Sequence, residues 1–468
     1  MIQGVSSDAG KSLVTAALCR WLSRQGVRVA PFKAQNMSNN ARVCAGGEIG
    51  VAQWLQARAA GVVPDVRMNP VLLKPESDTR CQVVVNGVAD HQLTRAPWRG
   101  RAEHLWPHVQ AAFASLRADY EVIVIEGAGS PAETNLWADD IVNMAVADLA
   151  EAAVLLVADI DRGGAFAHLY GTWALLPERW QRRVEGFLLN KFRGDATLLQ
   201  PAPATLEAAT GVPTVGVLPM LDHGLPDEEG PTLGMARHRG RRVVVLCGPY
   251  ASNLDEFTSL QQVADVSFAT SPADLADLAG ADLVVLPGSK HAAGDLAWLR
   301  RRGLDRALVS AGGSGVAVLG ICGGLQVLGH RLDDPAGVEG SATGLGLLGV
   351  DTAYGTAKRT TSVTATFDTL GPPWQWLSGR TVPGYEIRLG TSEPLAVGGA
   401  PGVLPGGLGF ATGNVLGVYL HGLFEDPGVL EAFTGRRAPA LDDVFEHLAD
   451  AVEAHFDLAW LHARTTGP

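Results

Sequence analysis

Cys322 stands in Gly320-Ile-Cys-Gly-Gly-Leu-Gln326, a thiol set between glycines at the end of the apolar run Gly315-Val-Ala-Val-Leu-Gly-Ile321. Glycines on both sides let the backbone make the sharp, strained turn that presents a nucleophile between a strand and a helix. A cysteine there would meet the first turn of that helix, whose partial positive charge favours the thiolate. A cysteine taken alone reads as a buried apolar residue, but the Gly-x-Cys-Gly-Gly setting points to nucleophilic chemistry. Such a thiol needs a proton acceptor, and Gly417-Val-Tyr-Leu-His421 brings a histidine to the end of another apolar run. A tetrahedral intermediate on the thiol also needs hydrogen-bond donors. The turn at Gly288 and the N–H of Gly323 are the candidates for that oxyanion hole.

A second chemistry is written at the other end of the chain. Gly4-Val-Ser-Ser-Asp-Ala-Gly-Lys-Ser12 ends in Gly-Lys-Ser and leads into apolar residues at helical spacing from Leu13 to Leu22. This is a phosphate loop, one residue longer than the usual spacing. Its backbone around Asp8 and Gly10 would cradle phosphates, Lys11 would reach their outer oxygens and Ser12 would hold Mg²⁺. ATP and Mg²⁺ are therefore the expected cofactors. Glu126, at the end of Glu121-Val-Ile-Val-Ile125, is placed to bind Mg²⁺ directly or through water. Asn190 and Lys191 end the run from Gly186, where related phosphate-loop proteins read the nucleotide base. Lys33 and Asn36 follow the strand pattern Val27–Phe32, and Lys74 follows Met68-Asn-Pro-Val-Leu-Leu; all three are candidates for holding substrate or phosphate. A solvated lysine is the plainer reading of Lys33. Asp161, with Arg162, reads equally as a metal or substrate contact and as a capped turn.

Positioning these groups takes two sheets. Apolar β-branched runs alternate with helical patterns throughout, which predicts doubly wound parallel sheets of α/β class. The 468 residues exceed what one core organises. The break in composition between Leu221 and Arg242 divides them into a domain over 1–228, a linker over 229–241, a second α/β domain over 242–440 and a helical tail over 441–468. The amphipathic, acidic pattern from Val444 to Phe456 reads as a packing helix. Met68–Pro75 reads as a loop before a strand at Cys81–Val85, and Leu325–Leu332 reads as a helix.

Composition narrows the partners. A net charge of −12 without a basic stripe argues against nucleic acid, and no apolar run reaches the length that spans a bilayer. The five cysteines are widely spaced and include no CxxC pair, so neither a disulfide framework nor a zinc site is indicated. The expectation is a cytoplasmic protein acting on small molecules, possible as a homo-oligomer.

The ordered set of motifs resembles one family over nearly the whole chain: the cobyric acid synthases, glutamine-dependent amidotransferases of cobalamin biosynthesis. The residues that carry the resemblance are Gly4–Ser12, Pro31–Asn40, Glu126–Glu133, Asp159–Gly164, Asn190–Asp195, Leu286–Lys290, the Cys322 turn and Tyr419–Gly422. It implies an N-terminal phosphate-loop domain like dethiobiotin synthetase and a C-terminal domain like class I glutamine amidotransferases. It further implies that Cys322 and His421 release ammonia from glutamine, and that ATP activates substrate carboxylates for amidation. The implied substrate is adenosylcobyrinic acid a,c-diamide, amidated at its b, d, e and g carboxylates. Class I amidotransferases carry an acid two residues after the histidine. Leu423 occupies that position, a gap the resembled family shares, so a Cys–His dyad is expected; nothing local aims Glu425 at His421. Arg388 stands where a histidine is expected after Tyr-Glu-Ile.

Cobyrinic acid a,c-diamide synthase shares the two-domain plan, and the Phe32-Lys-Ala-Gln-Asn36 stretch disfavours it. An amidotransferase acting on a cell-wall precursor usually divides the two domains between separate chains. A phosphate-loop partition or positioning ATPase would carry an additional lysine where Ser6 and Ser7 stand, and would give Cys322 no task.

Overall fold

The computed structural model describes residues 1–77, 80–226, 240–271, 274, 278–335, 337 and 339–465. They form two compact units. The first comprises Met1–Ser38, Cys44–Leu225 and Leu441–Pro468; the second comprises Asn39–Val43 and Pro226–Ala440. Of the linker expected over 229–241, residues 229–239 lie outside the described residues.

In the first unit the strands Ile2–Gly4, Val154–Asp159, Val184–Phe192 and Thr214–Pro219 lie side by side, all parallel. Val29–Phe32 and Val122–Ile125 pair in parallel and continue this layer through the bridge between Ile2 and Glu126. Every residue of Val154–Asp159 is buried, which is why the sequence shows a continuous apolar run there and no alternation. The loop after the short first strand feeds the helix Lys11–Arg24. The phosphate loop, Lys33, Glu126 and Asp161 therefore fall at the carboxyl ends of parallel strands, where open α/β sheets hold their ligands.

The chain's last helices, Leu441–His455 and Leu458–Thr465, return to the first unit. Phe445, Leu448 and Val452 are buried in its core beside Trp21 and Leu22 of the first helix. Arg24 also meets Glu446, Asp450 and Glu453. Exposed pairs of this kind contribute about 0–1 kcal/mol each, whereas burying one large apolar side chain contributes about 1.5–3 kcal/mol. The apolar face is thus what docks the tail.

Two expectations for local structure fail. The segment read as a loop over Met68–Pro75 contains the strand Val71–Ser77, paired antiparallel with Arg80–Val85. Pro75 is tolerated because the neighbour on its other side, Gln35–Met37, pairs only with Val71, Leu72 and Leu73. The helix read over Leu325–Leu332 spans only Gly323–Leu328, and Arg331–Asp333 is a strand. Gly329 takes an extended conformation that ends the helix early.

In the second unit Asp265–Ala269, Arg242–Leu246, Leu283–Leu286, Ala317–Ile321 and Val415–Val418 form a parallel sheet in that order, extended antiparallel by Gly409–Thr412 and Gly402–Leu404. A long hairpin of Val350–Thr366 with Thr381–Pro394 lies beyond it. Cys322 follows the sheet strand Ala317–Ile321, and His421 follows its neighbour Val415–Val418.

Candidate active sites

Cys322 adopts φ 50° and ψ −104° at the head of the helix Gly323–Leu328. For a residue with a side chain this left-handed conformation costs about 1–3 kcal/mol and persists only where the surroundings enforce it. Here they do. The Cys322 N–H donates to Val418 O at 2.7 Å. A Cβ on Gly324 would come within 2.1 Å of Leu286 O, so the helix backbone presses directly on the next strand. The result is a buried thiol whose Sγ lies 3.5 Å from Ile387 O.

His421 is brought to the thiol by strand order, since Ala317–Ile321 and Val415–Val418 are neighbours. The Cys322 sulfur is close enough to the imidazole to raise its pKa. Its Nδ1 lies 3.2 Å from Glu256 Oε1, and the other oxygen of Glu256 accepts from the Gly422 N–H at 3.1 Å. With Nδ1 on the carboxylate, Nε2 is left for the thiol. Burial pushes the His421 pKa down, but the Glu256 charge and the Cys322 sulfur outweigh it and raise the value from 6.5 to about 10. The imidazole therefore carries its proton at neutral pH, a positive charge held beside the Cys322 sulfur.

Beside the expected pair, Cys322 and His421, the structure places a third group, the carboxylate of Glu256. Glu256 sits on the 3-10 turn Leu254–Phe257, far upstream of the nucleophile. Its only signal in the sequence is a pair of acids, Asp255 and Glu256, bracketed by Leu254 and Phe257 soon after the unit's first strand. Glu425 does not reach His421 by hydrogen bond; it forms an ion pair with Arg42. Arg388, where a histidine was expected, donates to Glu386 at 2.7 Å and lies 4.2 Å above the Tyr419 ring.

Both glycines expected at the oxyanion hole come close to these groups. A Cβ on Gly288 would lie 3.0 Å from His421 Cε1, and one on Gly323 would lie 2.7 Å from Ser289 Cβ. A side chain at Gly288 would press on the imidazole, and one at Gly323 would press on the Ser289 backbone.

In the first unit Glu126 is fully buried and gathers several of the predicted residues. Its Oε1 accepts from Ser12 Oγ at 2.9 Å and from Lys33 Nζ at 2.8 Å, and Gln56 donates to its other oxygen. Gln56 was not singled out from the sequence. Lys11 Nζ donates to the carbonyls of Ser6 and Gly129 at 3.0 and 3.2 Å, curled against the loop it would leave for a phosphate. Gly10 takes φ 97°, and a Cβ there would fall 2.0 Å from Asn190 Nδ2, so glycine is required twice over. Asn190 Nδ2 donates to Ala9 O at 2.9 Å, while its buried Oδ1 has no protein partner. Lys191 Nζ donates to Asp8 O at 2.7 Å and pairs with Asp159 at 3.0 Å.

A hydroxyl beside one carboxylate is an oxygen-only donor set suited to Mg²⁺, which keeps several waters and takes the rest of its shell from phosphates. Among the described residues no cluster of three or more His, Cys, Asp and Glu side chains is arranged to hold a metal. The uncapped first turn of Lys11–Arg24 and the unpaired Asn190 Oδ1 fit a nucleotide.

The remaining candidates are not assembled with that cluster. Asn36 donates to Gln53 at 2.9 Å, and Asp161 pairs with Arg193 at 3.1 Å. Lys74 is fully buried against Glu48, so the anion it holds in this structure is a carboxylate of the protein itself.

Comparison with known proteins matches two families along the chain. Residues 1–226 match the family described as CobQ/CobB/MinD/ParA nucleotide binding domain. Residues 242–429 match the CobB/CobQ-like glutamine amidotransferase domain. Over 467 residues the chain is 56% identical to the cobyric acid synthase of Variovorax paradoxus (strain S110), covering 98% of this chain and 97% of that relative. The cobyric acid synthase of Albidiferax ferrireducens is 55% identical over 97% of each chain. That of Paracidovorax citrulli is 56% identical over 100% of this chain and 99% of the relative. No described helix is long and apolar enough to cross a membrane.

Proposed function

The chain belongs to the cobyric acid synthase family of glutamine-dependent amidotransferases, and we propose that it amidates the b, d, e and g carboxylates of adenosylcobyrinic acid a,c-diamide, using ATP and glutamine. The observation that carries the reading is the Cys322–His421–Glu256 line at a strained turn, in a chain whose other unit bears a complete phosphate loop.

In the second unit Cys322 Sγ attacks the side-chain amide carbon of glutamine. The backbone at Gly288 and Gly323 supports the oxyanion, worth about 3–4 kcal/mol per donor in comparable sites. His421, held as imidazolium by Glu256, gives its proton to the departing ammonia and then takes one from the water that releases glutamate from the thioester. In the first unit Ser12 and Glu126 would hold Mg²⁺, Lys11 would neutralise phosphate charge, and Asn190 and Lys191 would line the base. Mg-ATP, when bound, supplies the phosphoryl group that turns a carboxylate into an acyl phosphate that ammonia can displace. Lys33, already against Glu126, is the side chain nearest to hand for guiding a substrate carboxylate to that centre. Linked enzymatic roles of this kind point to a protein acting on small molecules in the cytoplasm.

The test is product mass after incubation with the diamide, Mg-ATP and glutamine labelled at its amide nitrogen. Four labelled amides per corrinoid are expected. Two amides gained on cobyrinic acid instead would move the chain to the diamide synthase, and no gain on either would revive the nucleotide-switch reading. Lys11→Ala is expected to slow amidation by about 10²-fold, the scale of losing one charged donor at a transition state. It should leave at most weak glutamate release, and unimpaired amidation would remove the phosphate loop from the mechanism.

A further inference from the structure

Arg42 is buried, and it belongs to the second unit although it comes from the N-terminal part of the sequence. Asn39–Val43 is grouped with that unit, while Ser38 before it and Cys44 after it are grouped with the first. Its guanidinium forms ion pairs with Asp255 and Glu425. It donates to the Tyr385 hydroxyl at 2.7 Å and lies 5.1 Å from the centre of the Tyr385 ring. Asn253 Nδ2 ties the same group together, donating to Ala41 O and to the Tyr385 hydroxyl at 2.9 Å each.

These partners are the immediate supports of the acid and base described above. Asp255 precedes Glu256 on one turn. The Tyr385 ring stacks on the His421 imidazole at 5.1 Å with 12° between planes, and the backbones of the two residues exchange hydrogen bonds. The buried Asp255 and Glu256 and the half-buried Glu425 bring three carboxylates toward one imidazole, an arrangement that is costly without a balancing cation. Arg42 supplies that cation, and a planar fork is the shape that can meet two carboxylates and a hydroxyl together.

We propose that Arg42 is a positioning residue of the glutaminase: it fixes the Asp255–Glu256 turn and the Tyr385 ring against His421. The catalytic geometry of the second unit is then completed by a segment that follows the candidate substrate residues Lys33 and Asn36 in sequence. The proposal rests on the reading of Cys322, His421 and Glu256 as the glutaminase. Without the guanidinium, burial drives Asp255 and Glu425 toward their protonated forms, and a proton shared within the cluster weakens the charge facing His421.

The test uses full-length Arg42→Met, Arg42→Lys and the milder Tyr385→Phe, with glutamate release measured against pH. Ammonia-dependent amidation by the same preparations is the control. Arg42→Met is expected to lower kcat for glutamate release by about tenfold or more, leave KM for glutamine nearly unchanged, and move the acid limb of the profile to higher pH. Arg42→Lys should return the acid limb and only part of kcat. Tyr385→Phe, which keeps the stacked ring but loses the hydroxyl acceptor, should lower kcat without moving the limb. An unchanged profile and kcat in Arg42→Met overturns the proposal. So does an equal loss of ammonia-dependent and glutamine-dependent amidation, because a positioning role acts on the glutaminase alone. Glutamate release that survives in Cys322→Ala would instead unseat the underlying site assignment.

Discussion

Cys322→Ala is expected to abolish glutamine-dependent amidation while amidation from added ammonium salts continues at its original rate. In the proposed reaction the Cys322 sulfur is the one atom of the line that forms a bond to the substrate carbon. Removing the nucleophile of such a unit costs about 10⁶-fold in kcat in a well-studied serine protease, equivalent to about 8 kcal/mol of barrier. In the proposed reaction the ammonia-dependent step uses Lys11, Ser12 and Glu126 of the first unit, whereas Cys322 belongs to the second, so that step reports on the first unit. Alanine also keeps the strained φ of 50° at this position, so the fold should be unaffected. Cys322→Gly relieves the strain and is expected to unfold at a higher temperature than Cys322→Ala, by the 1–3 kcal/mol or so that such a conformation stores. Glutamate release, ammonia-dependent product formation and a thermal melt check all three statements. Loss of ammonia-dependent synthesis in Cys322→Ala would end the division of labour between the two units.

What the sequence revealed and what it hid follow the range of the interactions concerned. Cys322 was legible because its chemistry depends on neighbours one or two positions away: glycines that allow the turn and an apolar strand that precedes it. The phosphate loop was legible for the same reason, and Glu126 because a buried strand with an acid at its end is a local pattern. Glu256 was not, because its role arises only when the turn after one strand is carried to the histidine at the end of another. Class I amidotransferases place the acid two positions after the histidine; in this chain that position holds the fully buried Leu423, and the charge arrives from Glu256 instead. Lys74 illustrates the converse. Its type and setting correctly indicate an anion partner, but nothing in the sequence distinguishes a substrate from Glu48, and the structure supplies Glu48. Arg42 reads as one more polar residue after Asn40. Only its tertiary partners make it part of a catalytic unit that begins two hundred residues later in the chain.

Glu256→Gln separates the three-residue line from a dyad. Glutamine keeps the size of the side chain and one oxygen for the Nδ1 proton, but removes the charge. In the unaltered protein that charge, together with the sulfur, overcomes burial and lifts the His421 pKa from 6.5 to about 10. Without it burial regains ground and the value falls, so the imidazole gives up its proton at a lower pH and the positive charge beside the Cys322 sulfur is lost. The expected result is slower alkylation of Cys322 by iodoacetamide near neutrality, because the cation beside the sulfur is gone. Glutamate release should fall by about 10³-fold, within the range found when the acid of a serine-protease triad is neutralised. The sign of the stability effect follows from the raised pKa. A histidine that holds its proton more tightly when folded stabilises the fold in full below pH 6.5, and loses that contribution as pH rises through about 10. The gap in melting temperature between the unaltered protein and Glu256→Gln should therefore be widest below pH 6.5 and close across that window. A dyad predicts neither change: an alkylation profile in Glu256→Gln that overlays the unaltered one would return Glu256 to a structural role and leave His421 to act alone.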